Sequence, residues 1–160
     1  MIEGVKIKQL VIHKDSPDLD QPDVTPGILM EVLRADEGLL AKFGQTVFTI
    51  AYPGTIKGFH YHEKQDDLWF VATGRVAVVL HDLRANSATF KQTEVLYAGQ
   101  DDYKLIVIPV GVVHGYKAVS AEPVILFYHT TEVYDPKNPD EKRIAWNDPE
   151  IGFDWDKIKM

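Results

Sequence analysis

The sequence predicts an all-β protein with a β-barrel or jelly-roll architecture, and three observations support this prediction. After Gly44, short runs of β-branched and aromatic residues recur about every ten residues and are punctuated by glycine and proline. One of those runs, 75–83, is mostly apolar on both alternating faces, as in a central strand. Helical patterns are scarce, so we expect only a few short helices.

The predicted elements follow in order along the chain. The segment 5–11 predicts a first strand, and 35–43 is the single helical candidate before the C-terminal region. The strands predicted after Gly44 are 46–52, 56–61, 68–73, 75–83, 93–97, 104–109 and 124–130. The C-terminal region carries Trp146, Phe153 and Trp155, large side chains that we expect to pack on the outside of the barrel.

Length and composition restrict the function classes. With 160 residues the chain can bury one hydrophobic core, and we expect a single domain spanning residues 1–160. The excess of 24 acidic over 17 basic residues gives a net charge of −7, which argues against nucleic acid as a partner. The sequence has no cysteine, which excludes disulfides and thiolate sites and agrees with a cytoplasmic location. Because no apolar segment approaches the length of a membrane helix, we expect no membrane contact.

A histidine pair marks the candidate site. The string GFHYH at 58–62 places His60 and His62 two residues apart in a predicted strand, so both imidazoles leave the same face. Asp67 follows, and the later string PVGVVH ends at His114. This arrangement resembles the two-part signature of the cupin superfamily of β-barrels.

Two interpretations of these four residues follow. Three imidazoles and a carboxylate that converge in a barrel would suit Mn, Fe, Ni or Zn, so a metal site of His60, His62, Asp67 and His114 is one interpretation. In the other, the strand histidines are solvated and His114 is a turn residue that the backbone satisfies.

A longer set of motifs resembles the dTDP-4-dehydrorhamnose 3,5-epimerase family in order and spacing. The matching strings are KGFHY at 57–61, DLR at 82–84 with SATF at 87–90, IPVG at 108–111 with HG at 114–115, FY at 127–128, and WNDP at 146–149 with IGFDW at 151–155. The last pair of strings is the most specific, because it is not a generic feature of barrels.

The resemblance implies a cupin-like β-barrel, usually a homodimer, that epimerises C3, C5 or both of a nucleotide-linked 4-keto-6-deoxyhexose without a cofactor. The family's general base falls on His60 and its opposing acid on Tyr128. An imidazole can take a proton from the carbon next to the ketone, and a phenol can return one from the other face. The enolate oxygen needs a cation or a hydrogen-bond donor, and besides the phenol the candidates are Lys57, His62 and His114.

The chain departs from the family's pattern at several positions. Asp67 stands where the family has a lysine, Lys57 stands for an arginine, and His62 stands for a glutamine. A carboxylate cannot stabilise an enolate, so we expect Asp67 to orient the base histidine instead, as the aspartate of a catalytic triad does. Glu31 aligns with a family glutamate that lies near the neighbouring subunit's pocket.

Other activities stay open beside the epimerase. The GFHYH string also resembles that of nucleotide-sugar 3,4-ketoisomerases, which carry paired histidines in one strand and shuttle a proton between neighbouring carbons of the same 4-keto sugar. A metal-dependent cupin and a barrel that binds a sugar without turning it over are the remaining alternatives.

Overall fold

The computed structural model describes residues 1–14 and 27–159, and most of its regular structure is β-strand. The strands are β1 (Lys6–Gln9), β2 (His13–Lys14), β3 (Ile28–Leu29), β4 (Gln45–Ala51), β5 (Ile56–His62), β6 (Asp67–Thr73), β7 (Arg75–Asp82), β8 (Thr93–Gly99), β9 (Lys104–Ile108), β10 (Val112–Ala118), β11 (Val124–Thr130) and β12 (Glu141–Arg143). No helix in these two ranges is long and apolar enough to cross a membrane.

Ten of these strands form two antiparallel five-stranded sheets. The first sheet has the order β1-β9-β6-β11-β4, and the second has the order β12-β5-β10-β7-β8. The all-β jelly-roll prediction is therefore confirmed. Strand β7 lies inside its sheet, between β10 and β8, and every residue from Val76 to Asp82 is buried, which explains its two apolar faces.

The main hydrophobic core lies between the sheets. The first sheet contributes side chains such as Val71 and Ile106, and the second contributes Val78, Leu80 and Tyr116. Burial of each large apolar side chain is worth roughly 1.5–3 kcal/mol relative to exposure, so this layer holds the two sheets together. Because alternate residues of a strand face opposite sides, the same strands also present outward faces that need cover.

The C-terminal region covers the outer face of the second sheet. Trp155 is buried and packs on Phe59 and Phe153, with ring centroids 5.1 and 5.0 Å away. Its indole N–H donates to the backbone oxygen of Trp146, 2.8 Å away, whereas the Trp146 side chain is half exposed. The outward packing expected of this region is thus seen for Phe153 and Trp155.

The helix predicted over 35–43 is wrong beyond its first turn. A 3₁₀ turn spans Ala35–Glu37 and ends at Gly38, whose φ of 63° places it in the left-handed region. The apolar residues that suggested a helix, Leu39 and Leu40, pack instead against the outer face of the first sheet beside Phe70. Tertiary packing therefore overrides the weak local helical pattern.

A buried carboxylate fixes the loop between β7 and β8. Asp82 accepts hydrogen bonds from Nε and Nη2 of Arg84, both at 2.8 Å, and from the hydroxyls of Ser87 and Thr89, both at 2.6 Å. Arg84 also donates to the backbone oxygen of Glu3, so the network includes the N-terminal segment. Burial alone would raise the pKa of Asp82, but these hydrogen bonds outweigh it and hold the pKa well below its ordinary value.

Asp82→Asn is expected to lower the free energy of unfolding at pH 7 by about 2 kcal/mol, because the amide brings a donor where an acceptor is needed. Since folding lowers the pKa of Asp82, its contribution is present above about pH 4 and is lost as the pH falls further. Urea unfolding at pH 7 and pH 3 measures both effects, with Glu122→Gln at an exposed carboxylate as the control. Equal stability of Asp82→Asn and wild type at pH 7 would reject this role.

Candidate active site

Two neighbouring strands of the second sheet bring three histidines together. In β5, His60 and His62 are two residues apart, and the antiparallel register of β5 and β10 pairs His60 with His114. The strands approach closely here, since a Cβ atom on Gly115 would lie 2.8 Å from the Cα atom of Gly58. Glycine at both positions therefore permits the contact between the His60 and His114 rings.

The opposite sheet supplies a buried carboxylate. Asp67 begins β6 and is 1% exposed. Its oxygens accept hydrogen bonds from the Gln65 amide at 2.7 Å and from the Trp69 indole N–H at 3.1 Å. These two donors hold the carboxylate toward the histidines of the other sheet.

The four side chains form a compact cluster, with one candidate ligand atom from each lying within 4.8 Å of all the others. Nε2 of His114 lies 2.9 Å from Nε2 of His60 and 3.6 Å from Oδ2 of Asp67. Nε2 of His62 lies 3.8 Å from Oδ1 of Asp67. The structure therefore brings together His60, His62, Asp67 and His114 as the sequence predicted.

A backbone carbonyl determines the tautomer of His114. Nδ1 of His114 lies 2.8 Å from the backbone oxygen of Val112, which can only accept, so Nδ1 carries the proton. In the tautomer in which each ring carries one proton, Nε2 of His114 accepts the hydrogen bond from Nε2 of His60. The remaining lone pair of His60 is consequently on Nδ1.

Asp67 does not orient His60 directly. Among the residues in the two described ranges, its imidazole neighbours at ion-pair distance are His62 and His114, while His60 is held by His114. The reason is the strand pairing, which places His114 rather than a residue of β6 beside His60. The charge of Asp67 still acts on His60 through space, where it opposes the lowering of the His60 pKa by burial.

His60 and Tyr128 line the same two connected cavities. The outer cleft has a volume of about 200 Å³, and the inner cavity has a volume of about 110 Å³. Both are bordered by His60, Asp67, Tyr128 and Glu141. The Trp69 ring is a neighbour of both groups, with its centroid 6.4 Å from that of His60 and 6.5 Å from that of Tyr128. The two groups thus border one space from different strands.

The inner cavity contains Tyr116, which the sequence analysis did not identify, and Lys57, which it did. Tyr116 of β10 is 3% exposed, and its hydroxyl has no hydrogen-bond partner among the described residues. Lys57 lines the same cavity, where its ammonium donates to the Thr49 hydroxyl at 2.6 Å and to the Ile50 backbone oxygen at 3.3 Å. Tyr116 follows the predicted His114 by two residues and so shares its face of the strand, which is the signal that could have revealed it.

The outer cleft is strongly acidic. It is bordered by five carboxylates, those of Asp67, Glu132, Asp135, Asp140 and Glu141. Among the described residues that line it, the one lysine is Lys64. Asp140 also caps the turn after β5, because its oxygens accept from the backbone N–H groups of residues 63, 64 and 65. Sequence reasoning missed this residue, since it lies 75 positions from the turn that it fixes.

Burial shifts the pKa values of His60 and Tyr128 in opposite directions. Burial lowers the pKa of His60 far below its ordinary value, and the neighbouring imidazoles of His114 and His62 add to the effect. Burial raises the pKa of Tyr128, and the charges of Asp67 and Glu141 act in the same direction. At neutral pH the imidazole is therefore unprotonated and the phenol protonated, the states from which a base and an acid act, although the same shifts weaken each group relative to one with a pKa near the working pH.

Glu31 lies away from these cavities within a single chain. Its carboxylate pairs with Arg34 at 2.9 Å, and its side chain is 55% exposed. A role at the site would therefore require a second copy of the chain.

Comparison with known proteins gives a consistent result. The family model described as dTDP-4-dehydrorhamnose 3,5-epimerase matches residues 27–160. The spore coat polysaccharide biosynthesis protein SpsL of Bacillus subtilis is 50% identical over 155 residues, 97% of each chain. The probable low-salt glycan biosynthesis epimerase Agl13 of Haloferax volcanii is 31% identical over 156 residues, 96% of this chain and 94% of that protein. The crystal structure of dTDP-6-deoxy-D-glucose-3,5-epimerase from Legionella pneumophila with dTDP-4-keto-L-rhamnose superposes with a TM-score of 0.80 at 28% identity, covering 96% of this chain and 79% of that one.

Proposed function

The chain belongs to the dTDP-4-dehydrorhamnose 3,5-epimerase family, and we propose that it inverts C3, C5 or both of a nucleotide-linked 4-keto-6-deoxyhexose. The observation that carries the proposal is the shared space bordered by a neutral imidazole and a protonated phenol. The names of the two relatives, one for polysaccharide biosynthesis and one for a glycan biosynthesis epimerase, support a role in the synthesis of surface or secreted glycans. The reaction moves only protons, so it needs no redox cofactor.

In the proposed mechanism, His60 and Tyr128 act from opposite faces of the sugar ring. The ketone at C4 acidifies the protons at C3 and C5, and the neutral imidazole of His60 removes one of them. The buried phenol of Tyr128 then returns a proton to the other face of the carbanion. Inversion requires two groups, because a single base would return the proton to the face from which it came.

The remaining polar groups stabilise the enolate and the bound sugar. Donors that border the cavities are Lys57 and His62, and a fixed donor near the C4 oxygen lowers the barrier. The expectation that His114 donates to the enolate is not met, because its two nitrogens are engaged by Val112 and His60. Because Nε2 of His114 carries no proton, Asp67 at 3.6 Å does not hold the ring by a hydrogen bond. We infer that Asp67 acts on His60 through its negative charge, which favours protonation of the imidazole.

The acidic outer cleft restricts where the diphosphate of the nucleotide can bind. Carboxylates repel a diphosphate, so we place the uncharged sugar in the cleft and the diphosphate at its mouth, on the side of Lys64. The absence of cysteine fits a reducing compartment, and we propose that the enzyme works in the cytoplasm.

We also propose a homodimer formed through β4. This strand is an edge of the first sheet, and its outward residues Phe48 and Ile50 are 53% and 45% exposed. Tyr52, just beyond the strand, is 70% exposed. An apolar row on an unprotected edge strand would promote aggregation unless a partner covered it. A second copy in this place could also bring Glu31 toward a neighbouring site.

Solvent deuterium exchange tests the epimerase. Wild-type protein with dTDP-4-keto-6-deoxyglucose in D₂O should incorporate deuterium at C3, C5 or both, as measured by NMR. His60→Asn should slow the exchange by about 10²- to 10⁴-fold, because the base is lost, whereas His13→Gln at an exposed histidine should not. Absence of exchange in the wild-type protein would reject the function, and a 3-keto product would identify a ketoisomerase instead.

Tyr128→Phe separates the two proton transfers. His60 can still remove a proton and return deuterium to the same face, so exchange should persist. Formation of the inverted sugar should fall by about 10²-fold or more, since the acid on the opposite face is missing. Equal loss of exchange and inversion would contradict an acid role confined to the second step.

The dimer can be tested with charges on the β4 surface. The double variant Phe48→Glu and Ile50→Lys should sediment as a monomer in analytical ultracentrifugation, because burial of two charges at the interface is unfavourable. Tyr97→Glu is the matched control, since Tyr97 is 45% exposed on β8 at an edge of the other sheet. A wild-type protein that sediments as a monomer would refute the interface.

A further inference from the structure

We propose that the hydroxyl of Tyr116 donates a hydrogen bond to the C4 oxygen of the bound sugar and stabilises the negative charge that this oxygen gains when the enolate forms. This role rests on the proposed function, because it needs a 4-keto sugar in the site. It adds a residue that contacts the substrate and that no motif of the sequence identified. The observation that carries it is a buried hydroxyl without a partner at the inner end of the site.

Tyr116 carries a polar group that the protein alone does not satisfy. Its side chain is 3% exposed, and its hydroxyl has no hydrogen-bond partner among the described residues. The neighbouring Thr49 hydroxyl influences the Tyr116 pKa, but it accepts its hydrogen bond from the Lys57 ammonium, at 2.6 Å. A buried hydroxyl without a partner lowers stability, and a ligand oxygen that accepts from it removes this cost.

The pairing of β5 with β10 places Tyr116 beside the base. Tyr116 is two residues beyond His114 and therefore lies on the same face of β10. Their partners in β5, Lys57 and His60, are three residues apart, because the register shifts between the two pairs. The extra residue in β5 lets both partners face the same side of the sheet. The inner cavity is accordingly bordered by His60, Lys57 and Tyr116.

The shape of a pyranose ring directs its C4 oxygen toward the inner cavity. C1, which carries the nucleotide, and C4 lie at opposite ends of the six-membered ring. With the diphosphate at the mouth of the outer cleft and the ring between His60 and Tyr128, the C4 oxygen reaches deepest into the protein. His60 and Tyr128 border both spaces, so the sugar can extend from the outer cleft into the inner cavity, where Tyr116 lies.

The other polar groups near this point are poorly suited to the C4 oxygen. The ammonium of Lys57 already donates to two oxygens of β4. Both nitrogens of His114 are in hydrogen bonds. Asp67 stands where the family has a lysine, and its carboxylate repels an enolate. The Tyr116 hydroxyl is therefore the donor that meets the developing charge.

The Tyr116 phenol is a fixed donor over the working pH range. Burial raises its pKa to about 12, so the hydroxyl keeps its proton at neutral pH. Its ring packs edge-on against the Trp69 ring, with centroids 5.7 Å apart and an interplanar angle of 89°. A donor that packing holds in place needs no reorganisation when the charge appears, which is the property that makes oxyanion donors effective.

Tyr116→Phe tests this role, because it removes the hydroxyl and keeps the ring. With dTDP-4-keto-6-deoxyglucose in D₂O, kcat for solvent exchange should fall by about 10²- to 10³-fold, as when one oxyanion donor is lost. KM should change little, since the hydrogen bond strengthens mainly as the oxygen becomes charged. Exchange and inversion should fall together, unlike in Tyr128→Phe, because both pass through the same enolate. Tyr97→Phe, at a tyrosine of β8 that is 45% exposed, is the matched control and should change neither.

Urea unfolding separates this role from a structural one. Because the hydroxyl has no partner in the protein alone, Tyr116→Phe should unfold at the same urea concentration as the wild type or at a higher one. A lower urea midpoint would show that the hydroxyl already has a partner in the absence of sugar, and it would overturn the inference.

The kinetic outcomes distinguish this role from the proposed function. Wild-type exchange together with an unchanged kcat in Tyr116→Phe would overturn the role of Tyr116 and leave the epimerase intact. A raised KM with an unchanged kcat would also overturn it, because the hydroxyl would then bind the substrate and its transition state equally. Absence of exchange in the wild-type protein would reject the proposed function, and the role of Tyr116 with it.

Discussion

The hydrogen bond from the His114 ring to the backbone carbonyl of Val112 is the constraint on which the site depends. A carbonyl cannot donate, so this bond fixes the proton on Nδ1 and leaves the Nε2 lone pair facing His60 at 2.9 Å. The proton of the neutral His60 must then lie on Nε2. A bond within β10 therefore determines which nitrogen of a residue on β5 can act as the base.

The fold makes this constraint possible through strand pairing. Gly58 and Gly115 allow β5 and β10 to approach closely beside the paired histidines. The opposite sheet contributes Asp67 and Tyr128 from adjacent strands, β6 and β11. Because both sheets pack on the core between them, and all four groups lie on strands rather than loops, the core fixes their relative positions.

Much of the site could be predicted because it depends on the two-residue period of a β-strand and on the spacing of residues within short motifs. His60 and His62 share a face by the two-residue period of a strand, and the PVGVVH string placed His114 near them. Strand β10 itself was not predicted, since its alternation is interrupted by Gly115 beside polar residues. Asp140 and the pairing of His60 with His114 depend on contacts between distant segments, which no local pattern encodes.

The tautomers of the two paired histidines test the central claim most directly. In ¹⁵N-labelled, metal-free protein, long-range ¹H–¹⁵N NMR should show the proton of His114 on Nδ1 and that of His60 on Nε2. A His114 ring that is protonated on Nε2, with an unprotonated Nδ1, would contradict the account. The Val112 carbonyl would then not determine the lone pair of His60.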